Sequence, residues 1–352
     1  MNKKKWGNAG KIVVFLLIVM VGIHVLNCLF IPKWTSPEDN RITSIIEGFY
    51  EEPNNSLDII FLGNSDVYRG VSPIYLWQEY GYASYVRSTP GQKLWVSYYQ
   101  LLETLEYQTP KLVVFAVDSL FNEEHSGEGN YRKTFDPMRL SAVKLQAVMD
   151  PVFEFDFDAK FSYLFPFIRY HSRWDQLTEE DIAFYGRDDK HFPHKGMDMS
   201  GDVKPYEGGY SYMEDRGETA AIGERAGKYM DLIVEFCREK GIQLLFVEIP
   251  STDSWTLAKS HAVKGYAQEN NIPFIDLNFV IENFDFDWML HTSDNGDHLN
   301  VWGAEVVTSY LGRYLSENYE IPDRRGDTAY SRWEEDALIY EADKAALEFV
   351  YK

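Results

Sequence analysis

The sequence predicts a doubly wound α/β sandwich carried behind an N-terminal membrane helix. Three observations carry that expectation. Apolar runs such as "DIIFLG", "KLVVFAVD" and "IQLLFVEIP" read as strands buried on both faces, as in a parallel sheet. Segments of helical period separate them. Residues 12–31, "IVVFLLIVMVGIHVLNCLFI", are apolar apart from His24 and Asn27.

The elements follow in chain order. Residues 1–11 carry Lys3, Lys4, Lys5 and Lys11 and no acid, and are expected in the cytoplasm. At about 1.5 Å per residue, residues 12–31 match the roughly 30 Å hydrocarbon layer, and the basic flank places the rest outside. A cleaved signal peptide is the rival reading. It is disfavoured because the run is long and no small-x-small site follows it. Residues 32–57 read as a polar tether with a short amphipathic piece.

From residue 58 strands and helices alternate. "DIIFLG" is a strand, "PIYLWQEYG" a short helix and "ASYVRS" a strand. "GQKLWVSYYQLLETLEY" is a helix with apolar Leu94, Tyr98, Leu101, Leu102 and Leu105. After the "KLVVFAVD" strand, residues 121–216 lose the alternation and read as a long insertion with one helix near "DPMRLSAVKLQAVM"; insertions of this length are commonly lids or binding walls. The helix "GERAGKYMDLIVEFCREKG" stops at Gly241. The strand "IQLLFVEIP", the helix "AVKGYAQENN", the strand "IPFIDLN" and the helix "NVWGAEVVTSYLGRYLSENY" complete a domain over 58–320. Residues 321–352 form a charged, helical tail.

The 352 residues are 45% hydrophobic and carry a formal charge of −21. The lysine-only start contributes +4, so the remainder carries −25. A surface of that sign repels nucleic acid. Cys28 and Cys237 fall in the apolar run and in a predicted helix, and make neither a disulfide framework nor a cysteine metal site. Glu214 and Asp215 are adjacent acids without metal-ligand spacing to a histidine. The case for a metal site is weak.

In open α/β sheets ligands bind beyond the carboxyl ends of strands. Ser65 stands two residues after the first strand, where a turn into a helix would lift its hydroxyl from the sheet and aim its N–H at the cleft. A serine needs a base. His298, in "DNGDHLN", precedes Asn300, a good helix N-cap, and Gly303 in the last helix. Asp294 or Asp297 is placed to orient the imidazole.

"FLGNS" together with "DNGDHLN" resembles the SGNH/GDSL hydrolase superfamily, over roughly residues 58–315. Within it, the chain is similar to membrane-anchored members such as the alginate O-acetyltransferases and the D-alanine-transfer protein of teichoic acid biosynthesis. The resemblance implies a three-layer flavodoxin-like sandwich and a Ser–His–Asp triad with Ser65 as nucleophile and His298 as base, and no metal or organic cofactor. The family acid stands three residues before the histidine; that position here is Asn295, leaving Asp294, favoured slightly, and Asp297. The second family block corresponds to "STPGQKLW": Gly91 would offer an oxyanion N–H and Gln92 a side-chain donor, unless Pro90–Gly91 is an ordinary turn. Asn64 joins the oxyanion and substrate-binding candidates. The third block has no clear counterpart, Asp118 and Asn122 in "VDSLFNEE" being a poor match.

His171, Arg173 and Trp174 in the insertion read as substrate-binding or as a structural cap. Ser251 and Trp255 read as cleft-lining, and His261 as a surface helix residue. The expected function is extracytoplasmic serine-dependent acyl transfer, in particular of O-acetyl groups, or ester hydrolysis on a cell-envelope glycan, at a single-pass bacterial membrane. A multi-span membrane O-acyltransferase is the partner that the resemblance implies. The alternative is a non-catalytic scaffold or glycan-binding module retaining the fold.

Overall fold

The computed structural model describes residues 8–34, 41–124, 127–186, 190–280, 284–347 and 350–351. The first seven residues of the basic start, and residues 35–40 of the expected tether, lie outside them. In order the chain forms α1 (Asn8–Phe30), α2 (Ile42–Phe49), β1 (Ile59–Gly63), α3 (Ser65–Gly70), α4 (Pro73–Tyr80), β2 (Ser84–Ser88), α5 (Leu94–Tyr107) and β3 (Leu112–Ala116). The insertion holds α6 (Glu128–Phe135), α7 (Ala142–Met149), α8 (Phe157–Leu164), α9 (Phe167–Tyr170), α10 (Glu179–Tyr185) and β4 (Asp202–Val203). Then come α11 (Glu224–Lys240), β5 (Gln243–Glu248), α12 (Leu257–Asn270), β6 (Phe274–Asp276), α13 (Leu277–Val280), α14 (Val301–Asn318), α15 (Ser331–Ala346) and β7 (Val350–Tyr351).

The main sheet is parallel throughout in the order β2-β1-β3-β5-β6. Its first strand lies inside and the chain winds outward both ways, as in the flavodoxin-like doubly wound order. Alternate strand residues feed opposite layers. Ile60, Leu62, Val113, Phe115 and Phe246 pack against α5, α11 and α12. Ile59, Phe61, Val114, Leu245 and Val247 pack against α3 and α14. This agrees with the fold that the SGNH/GDSL resemblance implies. Among the described residues one helix, α1, is long and apolar enough to cross a membrane.

One sequence expectation changes. Residues 42–57 are not a tether: Ile42, Ile45, Ile46 and Phe49 of α2 are buried in the main core. Their i, i+3, i+4, i+7 spacing gives α2 one apolar stripe, and Phe49 meets Tyr85 of β2 edge-on at 5.6 Å. The tail is helical but docked, with Trp333, Ala337 and Tyr340 of α15 buried. A buried charge cluster fixes it: Lys195 Nζ lies 2.7 Å from both Glu52 and Asp336. Beyond α15, β7 pairs in parallel with β4.

Candidate active site

Gly63 ends β1 where a Cβ would come within 2.4 Å of Val67 and 3.0 Å of Ala116, so glycine is needed for α3 to pack back on the sheet. Asn64 caps α3: its side-chain oxygen accepts from the Asp66 N–H at 3.0 Å, and its amide nitrogen donates to Asp118. Ser65 therefore opens α3 just beyond the carboxyl end of β1, the second strand in the sheet order. It lines a cavity of about 370 Å³ with Tyr68, Arg69, Pro90, Ser200, Asp202, Lys204, Ser293, Asp294 and His298.

His298 comes from the loop before α14. Thr292 and Leu299 form an antiparallel bridge, and the Ser293 N–H donates to the His298 carbonyl at 2.9 Å. Between these legs Asn295 and Gly296 take left-handed φ of 65° and 96°. That turn swings Asp294 back onto the histidine: Oδ1 accepts from the His298 backbone N–H and Oδ2 contacts Nδ1, both at 2.6 Å. The left-handed pair thus brings Asp294, four residues before His298, within reach of its ring. Asn300 caps α14 by accepting from Gly303 N–H at 3.1 Å. A Cβ on Gly303 would sit 2.3 Å from the His291 carbonyl. Strand β4 runs alongside, with Lys204 N–H donating to Thr292 O and Asn295 N–H to Lys204 O.

Asp297 also reaches the imidazole, Oδ2 standing 3.2 Å from Nδ1. Its Oδ1 accepts from Ser251 at 3.4 Å. The opposite ring nitrogen, Nε2, lies 3.7 Å from Asp66 Oδ1. Burial pulls the imidazole pKa down, but the Asp294 hydrogen bond and the charges of Asp66 and Asp297 outweigh it and raise His298 to about 9. Asp294 is held below the usual carboxylate range, its burial outweighed by its bonds to His298. Asp66 is pushed well up, by burial first and then by Asp118. Burial likewise raises Asp118 to about 6. Glu248, buried at the end of β5, has no hydrogen-bond partner for either carboxylate oxygen among the described residues, and burial shifts it strongly toward its protonated form. Ligand atoms of Asp66, Asp297 and His298 lie within 4.8 Å of one another, a set that a divalent cation could use only by competing for the imidazole.

Ser65, Asp294 and His298 thus share one cavity, with Asp297 against the imidazole. Gly91 adopts the left-handed φ of 59° next to lining residue Pro90. The amide of Gln92 is committed elsewhere: its oxygen accepts from Thr89 at 2.9 Å and its nitrogen donates to Ser97 at 2.8 Å. Asn122 receives Lys93. His171, Arg173 and Trp174 do not line the cavity; Arg173 instead binds the Phe30 carbonyl at 2.6 Å and Asp181. Nor is Trp255 cleft-lining. It is fully buried, with its indole N–H on Asp276 at 2.8 Å. Ser251, also buried, stands behind Asp297. His261 is exposed on α12.

Sequence reasoning missed Asp66, Tyr68, Arg69, Asp202 and Lys204. Tyr68 and Arg69 stand three and four residues after Ser65, the spacing that shares a helix face. Asp202 opens a two-residue strand and Lys204 follows it, a stretch too short to show a period.

No family model matches the chain, and no curated protein does. The chain has weak similarity to two solved structures. An inferred acylhydrolase from Bacteroides fragilis is 14% identical, with 77% of this chain and 94% of that chain covered and a TM-score of 0.36. A GDSL-like lipase from Bacteroides thetaiotaomicron is 12% identical, with 74% and 87% covered and a TM-score of 0.34.

Proposed function

We propose that the chain is an SGNH-type serine esterase or O-acyltransferase acting outside the cytoplasmic membrane on acyl esters of a cell-envelope glycan. The observation that carries this reading is the shared cavity of Ser65 and His298, with Asp294 on the imidazole nitrogen Nδ1. Asp294 fixes the tautomer in which Nδ1 keeps its proton and Nε2 is the basic nitrogen. On this reading Nε2 takes the Ser65 proton as Oγ attacks the ester carbonyl, and the N–H groups of Ser65 and Gly91 receive the oxyanion. His298 then protonates the leaving alcohol. Water, or a sugar hydroxyl, resolves the acyl-serine, with His298 again as base. A membrane anchor favours transfer, because a tethered enzyme can draw acyl groups from a membrane-embedded donor.

The test is Ser65→Ala, read by turnover of an activated acetyl ester and by labelling with a serine-reactive probe. Loss of both supports the assignment; a variant equal to wild type in both refutes it. Product analysis with a neutral glycan separates the outcomes, ester on the glycan meaning transfer and free acid alone meaning hydrolysis.

A second reading, a non-catalytic glycan-binding module, is favoured by one observation: three carboxylates hold His298 toward its charged form, which is no base. Glycan binding and an unchanged cellular phenotype in a Ser65→Ala, His298→Ala protein would select it.

A further inference from the structure

The exit of α1 from its apolar stretch meets the insertion. Residues 12–22 of α1 are exposed on every side, whereas from residue 23 onward most positions are half-covered and Phe30 is buried. The cover comes from α9, α10 and the turn His171–Asp175 between them. The joint is specific. Asn27 Oδ1 accepts the Phe167 N–H at 2.9 Å, Arg173 donates to the Phe30 carbonyl, and the Phe30 and Phe167 rings meet edge-on at 5.1 Å.

Length decides what this joint means. The freely exposed part, residues 12–22, spans only about 16 Å at 1.5 Å per residue. The hydrocarbon layer is about 30 Å thick. A helix that crosses the layer must therefore be immersed to the level at which the insertion wraps it. In α9, α10 and the turn between them, which cover α1, and in α8, which packs on α9, the insertion exposes large apolar side chains: Phe157 is 73% exposed, Trp174 72% and Ile182 62%, with Phe161 and Ile168 also exposed. Phe157, Phe161 and Phe165 form a continuous ring row, with centroids 5.2 and 5.7 Å apart. Charged Lys160, Arg169, Glu179 and Glu180 lie among them. Aromatic and aliphatic anchors interleaved with long charged side chains are the composition of an interfacial surface, in which apolar groups enter the headgroup–acyl boundary and charged ends stay wet.

We propose that α8, α9, α10 and the turn between them form a membrane-seating surface, whose occupant is the headgroup–acyl boundary of the leaflet from which α1 emerges. The insertion is then a collar that fixes the height and tilt of the domain on the bilayer. The proposal rests on α1 being a membrane span and is independent of the chemistry at Ser65.

The test uses the full chain in phosphatidylcholine–phosphatidylglycerol nanodiscs, with Cys28→Ala and Cys237→Ala as background. Single spin labels are placed through Leu16→Cys in the anchor, Phe161→Cys and Trp174→Cys in the collar, and Leu338→Cys, an exposed apolar site on α15 (74% exposed). Relaxation by oxygen, which concentrates in lipid, is compared with relaxation by a water-soluble nickel chelate. The expected result is an oxygen-to-nickel ratio at 161 and 174 severalfold above that at 338 and below that at 16. Ratios at 161 and 174 equal to that at 338 overturn the collar. A ratio at 16 equal to that at 338 removes the anchor and the collar with it, leaving the esterase assay unaffected. Labels that are water-exposed in nanodiscs but shielded from both reagents in native membranes assign the surface to a protein partner and overturn the lipid assignment.

Discussion

Raising the pH, and separately replacing Asp66 by Asn, probes the site most directly. On the proposed esterase reading His298 must be neutral to take the serine proton, yet its pKa lies near 9 rather than 6.5. At pH 7 such a group is neutral in about one molecule in a hundred, and the displacement corresponds to about 3 kcal/mol in favour of the imidazolium. Burial opposes that displacement, so Asp294, Asp66 and Asp297 together supply more than the net. Asp66 Oδ1 stands 3.7 Å from Nε2, and a screened charge pair at that distance is worth on the order of 1 kcal/mol, close to a factor of ten in the equilibrium. The wild-type kcat/KM for a small neutral acetyl ester, corrected by the Ser65→Ala rate, should rise about tenfold per pH unit from 7 until it levels near 9. In Asp66→Asn, which keeps an acceptor for the Ser254 hydroxyl now 3.3 Å away, the midpoint should fall by about one pH unit. The rate at pH 7 should then rise by up to about tenfold. A wild-type profile flat between pH 7 and 9, or an unmoved midpoint in Asp66→Asn, refutes the reasoning. Stability follows the same proton: a raised histidine pKa contributes fully below about 6.5 and is lost as pH climbs through about 9. Thermal midpoints should therefore fall across that window, and less so in His298→Gln.

Asp294→Asn should leave the fold intact and lower kcat by about 10²–10⁴-fold, because the tautomer of His298 is no longer enforced; a loss below threefold would make Asp297 the orienting acid instead. Zn²⁺ added at micromolar concentration should inhibit ester turnover by engaging Asp66, Asp297 and His298, and EDTA should restore it; activity indifferent to Zn²⁺ counts against that donor set. Lys195→Met should cost about 3–5 kcal/mol in urea unfolding, since it strands the buried carboxylates of Glu52 and Asp336. It should also expose the end of α15 to proteolysis; unfolding unchanged within 1 kcal/mol would show that the cluster contributes little.

The strands, the helices and the positions of Ser65 and His298 were legible because each is written locally. Apolar runs with turn residues mark β1, β3 and β5, and an N-cap asparagine marks the start of α14. The Asp294 contact was half-legible: the sequence narrowed the acid to two residues, but the left-handed turn at Asn295 and Gly296 that brings Asp294 onto Nδ1 exists only in the folded loop. Asp66 was invisible as a partner of His298, since 232 positions separate them and nothing local pairs them.

By itself the sequence determined the layer order, the membrane-length helix and which two segments carry hydroxyl and imidazole, since periodicity, capping and chain length are properties of short stretches. Tertiary structure alone decided that residues 42–49 are core and not tether, that Trp255 is buried and not at the cleft, and that Arg173 clasps α1 and not substrate. Those outcomes depend on which distant surfaces meet. A side chain's role at such a meeting is set by the partner it finds there, which its own neighbours in the chain do not encode.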